Sequence, residues 1–137
     1  MTRITPALGL GLCFVFATRL PAQRAPDWDA LARESQGILS DYLRVNTTNP
    51  PGNEILAARF LKAILDREGI EATILDTAEI GPNRANFYAR LKGNGTKKAI
   101  ALVHHMDVVP VTPQSWSVDP FSGVVKHGYI WGAAPST

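Results

Sequence analysis

Lys98–Pro110, K-A-I-A-L-V-H-H-M-D-V-V-P, is the stretch whose reading decides the fold. Ala99 to Val103 are all apolar and run directly into His104-His105-Met106-Asp107. A short run that is apolar at every position reads as a strand buried on both faces, as at the centre of a parallel or mixed sheet. In open α/β sheets, ligands bind outside the carboxyl ends of the strands, and this end carries two histidines and an aspartate. Residues two apart in an extended segment share a side. His105 and Asp107 therefore face one way, and His104 and Met106 the other. A neutral imidazole can hold a metal through one nitrogen while a carboxylate accepts a hydrogen bond from the other. Taken alone H-x-D is weak, because a histidine near a strand end is more often a satisfied structural residue.

Working outward toward the N-terminus, Ala85–Lys92 reads as a strand with Phe87, Ala89 and Leu91 on one face. Gly93-Asn94-Gly95 is a hairpin-type turn signal, so this strand is expected to pair antiparallel with Ala99–Val103. Ile70–Leu75 alternates and reads as another strand. A loop punctuated by Gly81-Pro82-Asn83 separates it from Ala85.

Two helices precede these strands. Asp27–Val45 carries Trp28, Leu31, Ile38, Leu39 and Tyr42 at three- and four-residue spacing, with Asp27 as the expected N-cap. Glu54–Glu68 shows Leu56, Phe60, Leu61 and Ile64 on one face, with Asn53 as the expected cap and Gly69 as the stop. Between them lies Asn46-Thr47-Thr48-Asn49-Pro50-Pro51-Gly52-Asn53, whose prolines and glycine prevent helix continuation. Beyond Pro110 comes a long breaker-rich loop. It is followed by Val124–Lys126 and Tyr129–Trp131 flanking His127-Gly128, a two-residue hairpin in which His127 reads as a solvated turn residue.

The first residues read as a secretory signal. Arg3 precedes Ala7–Ala17, an uninterrupted apolar run of 11 residues that is short for a membrane span. Cleavage is expected after Ala22, although Arg19 is atypical there and an uncleaved anchor is the alternative. This divides the chain into residues 1–22, a signal peptide, and 23–137, the folded part. Cys13 is the single cysteine, so the folded part has no disulfide or thiol chemistry. From Gln23 onward basic and acidic residues balance at twelve each. A neutral body offers no electrostatic footprint for nucleic acid or an anionic membrane.

Four segments in this order resemble the N-terminal part of the M20 family of zinc metallopeptidases. Asp41–Glu54 resembles the first helix and N-P-P-G-x-E loop, and Asn86–Gly93 the N-hydrophobic-x-A-R-L-K-G strand. Leu102–Pro110 resembles the H-x-D-V-V-P metal strand, and Trp116–Gly132 the W-x-x-D-P-F-x-G segment. The resemblance implies an α/β catalytic domain of three layers, with a mixed central sheet flanked by helices. It implies metal-dependent hydrolysis of an amide or peptide bond by a dipeptidase, carboxypeptidase or N-acyl-amino-acid hydrolase. Two zinc ions are expected in the full-length family member.

By the same resemblance His105 matches a zinc ligand and Asp107 the catalytic carboxylate that orients and polarises it. His104 matches no functional position, and Asp119 matches a structural turn residue. His127 stands where an acidic turn residue is expected. The family continues with G-R-G-x-x-D, where Gly132 is here followed by Ala133-Ala134-Pro135. The expectation is an inactive N-terminal fragment of a secreted or periplasmic hydrolase, without the lid or dimerisation domain of the homodimeric family members. Its substrate class is a peptide or N-acyl amino acid. The competing expectation is a non-catalytic secreted α/β binding or structural module. An isolated chain with so apolar a strand is expected to be poorly soluble.

Overall fold

A computed structural model describes residues 25–77 and 79–134. The signal-like segment, Cys13 and the last three residues lie outside the described residues. Among the described residues, two α-helices, a 3-10 turn at Pro113–Ser115 and two small antiparallel sheets make up the regular structure, an arrangement consistent with part of an α/β domain.

Helix α1 spans Trp28–Tyr42 and starts where the sequence predicts. The Asp27 side chain accepts a hydrogen bond from the Ala30 amide at 3.0 Å, satisfying one of the donors that a helix N-terminus leaves unpaired. Helix α2 spans Glu54–Arg67 and stops at Gly69, whose φ of 67° is the left-handed conformation glycine adopts at little cost. Asn53 occupies the N-cap position but its side chain does not cap. Its Oδ1 instead accepts from Asn83 Nδ2 at 3.2 Å. That bond ties the start of α2 to the loop that precedes Ala85.

Strands β1 (Ala72–Asp76) and β2 (Ala85–Ala89) pair antiparallel with Ile74 opposite Phe87. Helix α2 packs on both. Ala85, Phe87 and Ala89 turn to the covered side, whereas Asn86 and Tyr88 are exposed. Small residues let the layers approach closely, and Ala57 and Ala58 of α2 are completely buried. Strands β3 (Val124–Lys126) and β4 (Tyr129–Trp131) form the second sheet. His127 and Gly128 make its turn with φ of 54° and 79°, the double positive-φ geometry that suits a two-residue hairpin.

This hairpin is held against the C-terminal end of α1. Ser40 Oγ donates to the Gly123 carbonyl at 2.6 Å in a buried setting, and Arg44 Nε donates to the Ser122 carbonyl at 3.0 Å. Leu43 is buried against Gly132. Asp119 acts as a turn residue, accepting the Phe121 amide on its side chain at 2.8 Å and Ser122 Oγ on its carbonyl at 2.7 Å.

The apolar run departs from expectation. Ala99–Val103 is neither buried nor paired into a strand, and it does not join β2 through a hairpin. Ile100, Leu102 and Val103 are 88%, 93% and 89% exposed. Two physical reasons are visible. Asn94 Oδ1 accepts from both the Thr96 amide at 3.1 Å and Thr96 Oγ1 at 2.7 Å, a local side-chain turn that replaces the hairpin ladder. A strand apolar on both sides also needs cover on both sides. Among the described residues α2 is already spent on β1 and β2, and α1 packs on β4.

Candidate functional site

The segment after the exposed run is anchored where the run is not. Val108 pairs with Thr48 in an isolated parallel bridge. The Asn49 amide donates to the Val108 carbonyl at 2.9 Å, and the Val108 amide to the Thr47 carbonyl at 3.2 Å. Thr47 Oγ1 donates to the Met106 carbonyl at 2.7 Å. Thr47 and Val108 are both buried. The loop between α1 and α2 therefore clamps residues 106–108 across some sixty positions of sequence.

That loop is shaped by its own side chains. Asn46 Oδ1 accepts from the Thr48 amide and from Thr48 Oγ1, at 3.0 and 2.7 Å. The Gly52 amide closes a turn onto the Thr48 carbonyl at 2.9 Å. Gly52 has φ of 83°, and a Cβ there would sit 2.9 Å from Glu54 Oε2 and 2.5 Å from Arg84 Nη1. The positive φ is what calls for glycine here, since the two atoms that a Cβ would meet are ends of long side chains that can shift.

Next to the clamp, His105 and Asp107 touch each other. His105 Nδ1 lies 2.9 Å from the Asp107 carbonyl oxygen and 3.1 Å from Asp107 Oδ1. Both partners only accept, so these two contacts call for the proton on Nδ1. His104 points elsewhere, with Nδ1 donating to the His105 carbonyl at 2.8 Å. Asp107 has a further partner that the sequence did not disclose, since Asn49 Nδ2 donates to Asp107 Oδ2 at 2.8 Å. The Asn49 bond is the main reason the Asp107 carboxyl is held below the usual carboxylate range. Partial burial opposes it, and the His105 contact adds to it. An ionised Asp107 is the form that accepts from both neighbours and raises the basicity of the imidazole.

Glu54, at the first position of α2, is buried, and its carboxylate oxygens have no hydrogen-bond partner among the described residues. Its charge is met by Arg84 Nη1 at 3.3 Å. This ion pair fastens the far end of the loop to the residue preceding β2.

A zinc centre of catalytic type takes three protein ligands or more. Among the described residues no group of three or more His, Cys, Asp or Glu is placed to hold a metal ion. The pair His105–Asp107 fits one ligand position with its orienting carboxylate, and does not fit a complete centre. No helix of the described residues is long and apolar enough to cross a membrane.

No family model matches the sequence. Curated relatives do. The chain is 29% identical to succinyl-diaminopimelate desuccinylase of Cereibacter sphaeroides over 96 residues, 69% of this chain and 24% of that protein. It is 33% identical to aminoacylase-1 of Sus scrofa over 97 residues, 69% of this chain and 23% of that protein. A shorter match of 31 residues, 23% of this chain and 6% of the relative, is 58% identical to the N-fatty-acyl-amino acid synthase/hydrolase PM20D1 of Xenopus tropicalis. The chain spans about a quarter of the length of the first two relatives. Three relatives with different printed activities but one common family make this chain a homologue of the M20-family amidohydrolases.

Proposed function

We propose that the chain contributes to metal-dependent hydrolysis of an amide bond in a peptide or N-acyl amino acid. The observation that carries the reading is the His105–Asp107 pair, with two acceptor oxygens facing the imidazole Nδ1. In this reading His105 supplies one zinc ligand. Asp107 is the carboxylate that orients the ring and strengthens it as a donor. Two zinc ions, when bound in the complete centre, supply a water of lowered pKa. The clamp by Thr47 and Asn49 keeps the ring at a constant position relative to α2. The printed activities of the relatives, desuccinylase, aminoacylase and fatty-acyl-amino acid hydrolase, all concern an acyl group on an amine, which supports this substrate class.

We further propose that residues 25–134 by themselves are inactive, because they bring one ligand to a centre that needs several. The signal-like N-terminus supports a secreted or periplasmic address, and the full-length protein is proposed to be a homodimer.

The test begins with the coding sequence downstream of Thr137, read in all three frames for G-R-G-x-x-D. The polypeptide so defined is expressed and assayed for release of free amino acid from N-acyl amino acids and dipeptides. The expected result is hydrolysis that a chelator removes and that His105→Ala abolishes, with none from the 137-residue chain alone. A genuine stop with no such continuation, or tight zinc and amidase activity in the short chain, would overturn the proposal. The first outcome would favour a binding module.

A further inference from the structure

Of the six asparagines in the chain, only Asn94 is followed by glycine. Both residues lie within 91–105, which is exposed throughout. The Asn94 side chain is folded back along its own backbone. Its Oδ1 accepts from the Thr96 amide at 3.1 Å and from Thr96 Oγ1 at 2.7 Å. The ring closed by the first of these bonds contains both Asn94 Cγ and the Gly95 nitrogen, so the carbonyl carbon and the next peptide nitrogen are held on one side of the turn. Two donors on one carbonyl oxygen polarise that carbonyl toward attack. The Gly95 amide makes no hydrogen bond among the described residues, and Asn94 Nδ2 makes none either. The attacking nitrogen and the leaving nitrogen are thus both unengaged.

We propose that Asn94 is a site of self-modification, at which water converts the side-chain amide to aspartate and isoaspartate through a cyclic imide. The Gly95 nitrogen gives its proton to hydroxide and forms a bond to Asn94 Cγ. The negative charge that develops on Oδ1 is met by the two Thr96 donors. The bond from Cγ to Nδ2 then breaks, and the nitrogen leaves as ammonia after taking a proton from water. Water opens the imide at one of its two carbonyls. Breaking the new bond from Gly95 nitrogen to Cγ gives aspartate. Breaking the original peptide bond gives isoaspartate, with the main chain now running through Cγ and one methylene longer. The balance is one water taken up and one ammonia released. The other asparagines lack this combination. Asn49 precedes Pro50, which has no N–H. Asn86 lies in β2, and Asn53 and Asn83 bond each other. Asn46 is the internal comparison. Its Oδ1 takes the same two donors from Thr48, at 3.0 and 2.7 Å. The next residue there is Thr47, which is β-branched, buried and bonded to the Met106 carbonyl.

The experiment reads a covalent change and is independent of the hydrolase reading. The 137-residue chain is incubated in mildly alkaline buffer, sampled over time and digested. Mass spectrometry of the peptides that carry Asn94 and Asn46 follows the conversion of amide to acid, and electron-transfer fragmentation separates aspartate from isoaspartate. Conversion is expected at Asn94, to both isomers, well ahead of Asn46. Gly95→Ala is the test variant. An added Cβ would meet nothing within 4 Å, so the fold is retained. The φ of 80° at this position resists a residue with a Cβ, and the methyl crowds the attacking nitrogen. Conversion at Asn94 is expected to slow about tenfold in this variant. No conversion at Asn94, an equal rate at Asn46, aspartate without isoaspartate, or an unaltered rate in Gly95→Ala would each overturn the proposal.

Discussion

Glu54 and Arg84 meet at 3.3 Å at the point where the inter-helix loop becomes α2, with the carboxylate side chain only 7% exposed. A buried charge is tolerated when its partner is present and costly when the partner is removed. Arg84→Met is therefore expected to destabilise the chain by about 2–3 kcal/mol, at or just below the lower bound of the buried-pair range because Arg84 is itself partly solvated. Replacing both together, Glu54→Leu with Arg84→Met, should recover most of the loss. Urea midpoints of the two variants and the parent decide this, and equal midpoints for Arg84→Met and the parent would refute it.

Tyr42 presents the opposite case, a buried hydroxyl with no hydrogen-bond partner among the described residues. Its ring stacks at a tilt on Phe60, with centroids 5.8 Å apart. An orphaned buried hydroxyl wastes its desolvation. Tyr42→Phe keeps the ring contact and is expected to raise stability by about 1 kcal/mol. Burial also pushes the Tyr42 phenol above its ordinary value. The unfolded chain thus loses this proton first, near pH 10. Stability from this group is intact below that pH and falls as pH climbs through the higher native value. Melting curves in the alkaline range should show this decline in the parent and a smaller one in Tyr42→Phe.

Gly123 carries the joint between the β3–β4 hairpin and α1. Its φ is 57°, and a Cβ there would collide with the Ser40 carbonyl oxygen. Gly123→Ala adds strain to a backbone clash and is expected to detach the hairpin. Ser40→Ala removes only the buried hydroxyl donor to the Gly123 carbonyl and should cost about 1–2 kcal/mol. Hydrogen exchange at residues 124–131 separates them. Protection should vanish in Gly123→Ala and merely weaken in Ser40→Ala.

What the sequence discloses here depends on range. The Asp27 cap, the Gly69 stop and the His127-Gly128 turn are each set by neighbours within a few residues, and all are found. His105 and Asp107 do meet, although the segment that carries them is in no strand. Asn49 could be recognised as a loop residue but not as the partner of Asp107, because no local pattern links positions 58 apart. Glu54 reads as an ordinary acidic first-turn residue, since burial against Arg84 leaves no periodic trace. The apolar run fails for a related reason. Composition says that Ala99–Val103 needs cover on both faces, but not whether cover is within reach.

Ile100, Leu102 and Val103 are exposed in succession on a segment whose backbone joins no sheet. Unpaired N–H and C=O groups beside apolar side chains form a template for pairing with another extended chain. The chain is therefore expected to self-associate as its concentration rises, with this segment as the contact. Leu102→Lys introduces a charge at its most exposed large apolar position and removes no contact on which the described core depends. It should shift the onset of association to higher concentration, by about tenfold if one such contact is worth 1.4 kcal/mol, with the far-ultraviolet circular dichroism unchanged. Val108→Lys, by contrast, places a charge at a buried position in the clamp and should unfold residues 47–49 and 106–108 together. Sedimentation across a concentration series reads the first effect, and hydrogen exchange reads the second. Association unaltered by Leu102→Lys would locate the contact elsewhere on the chain.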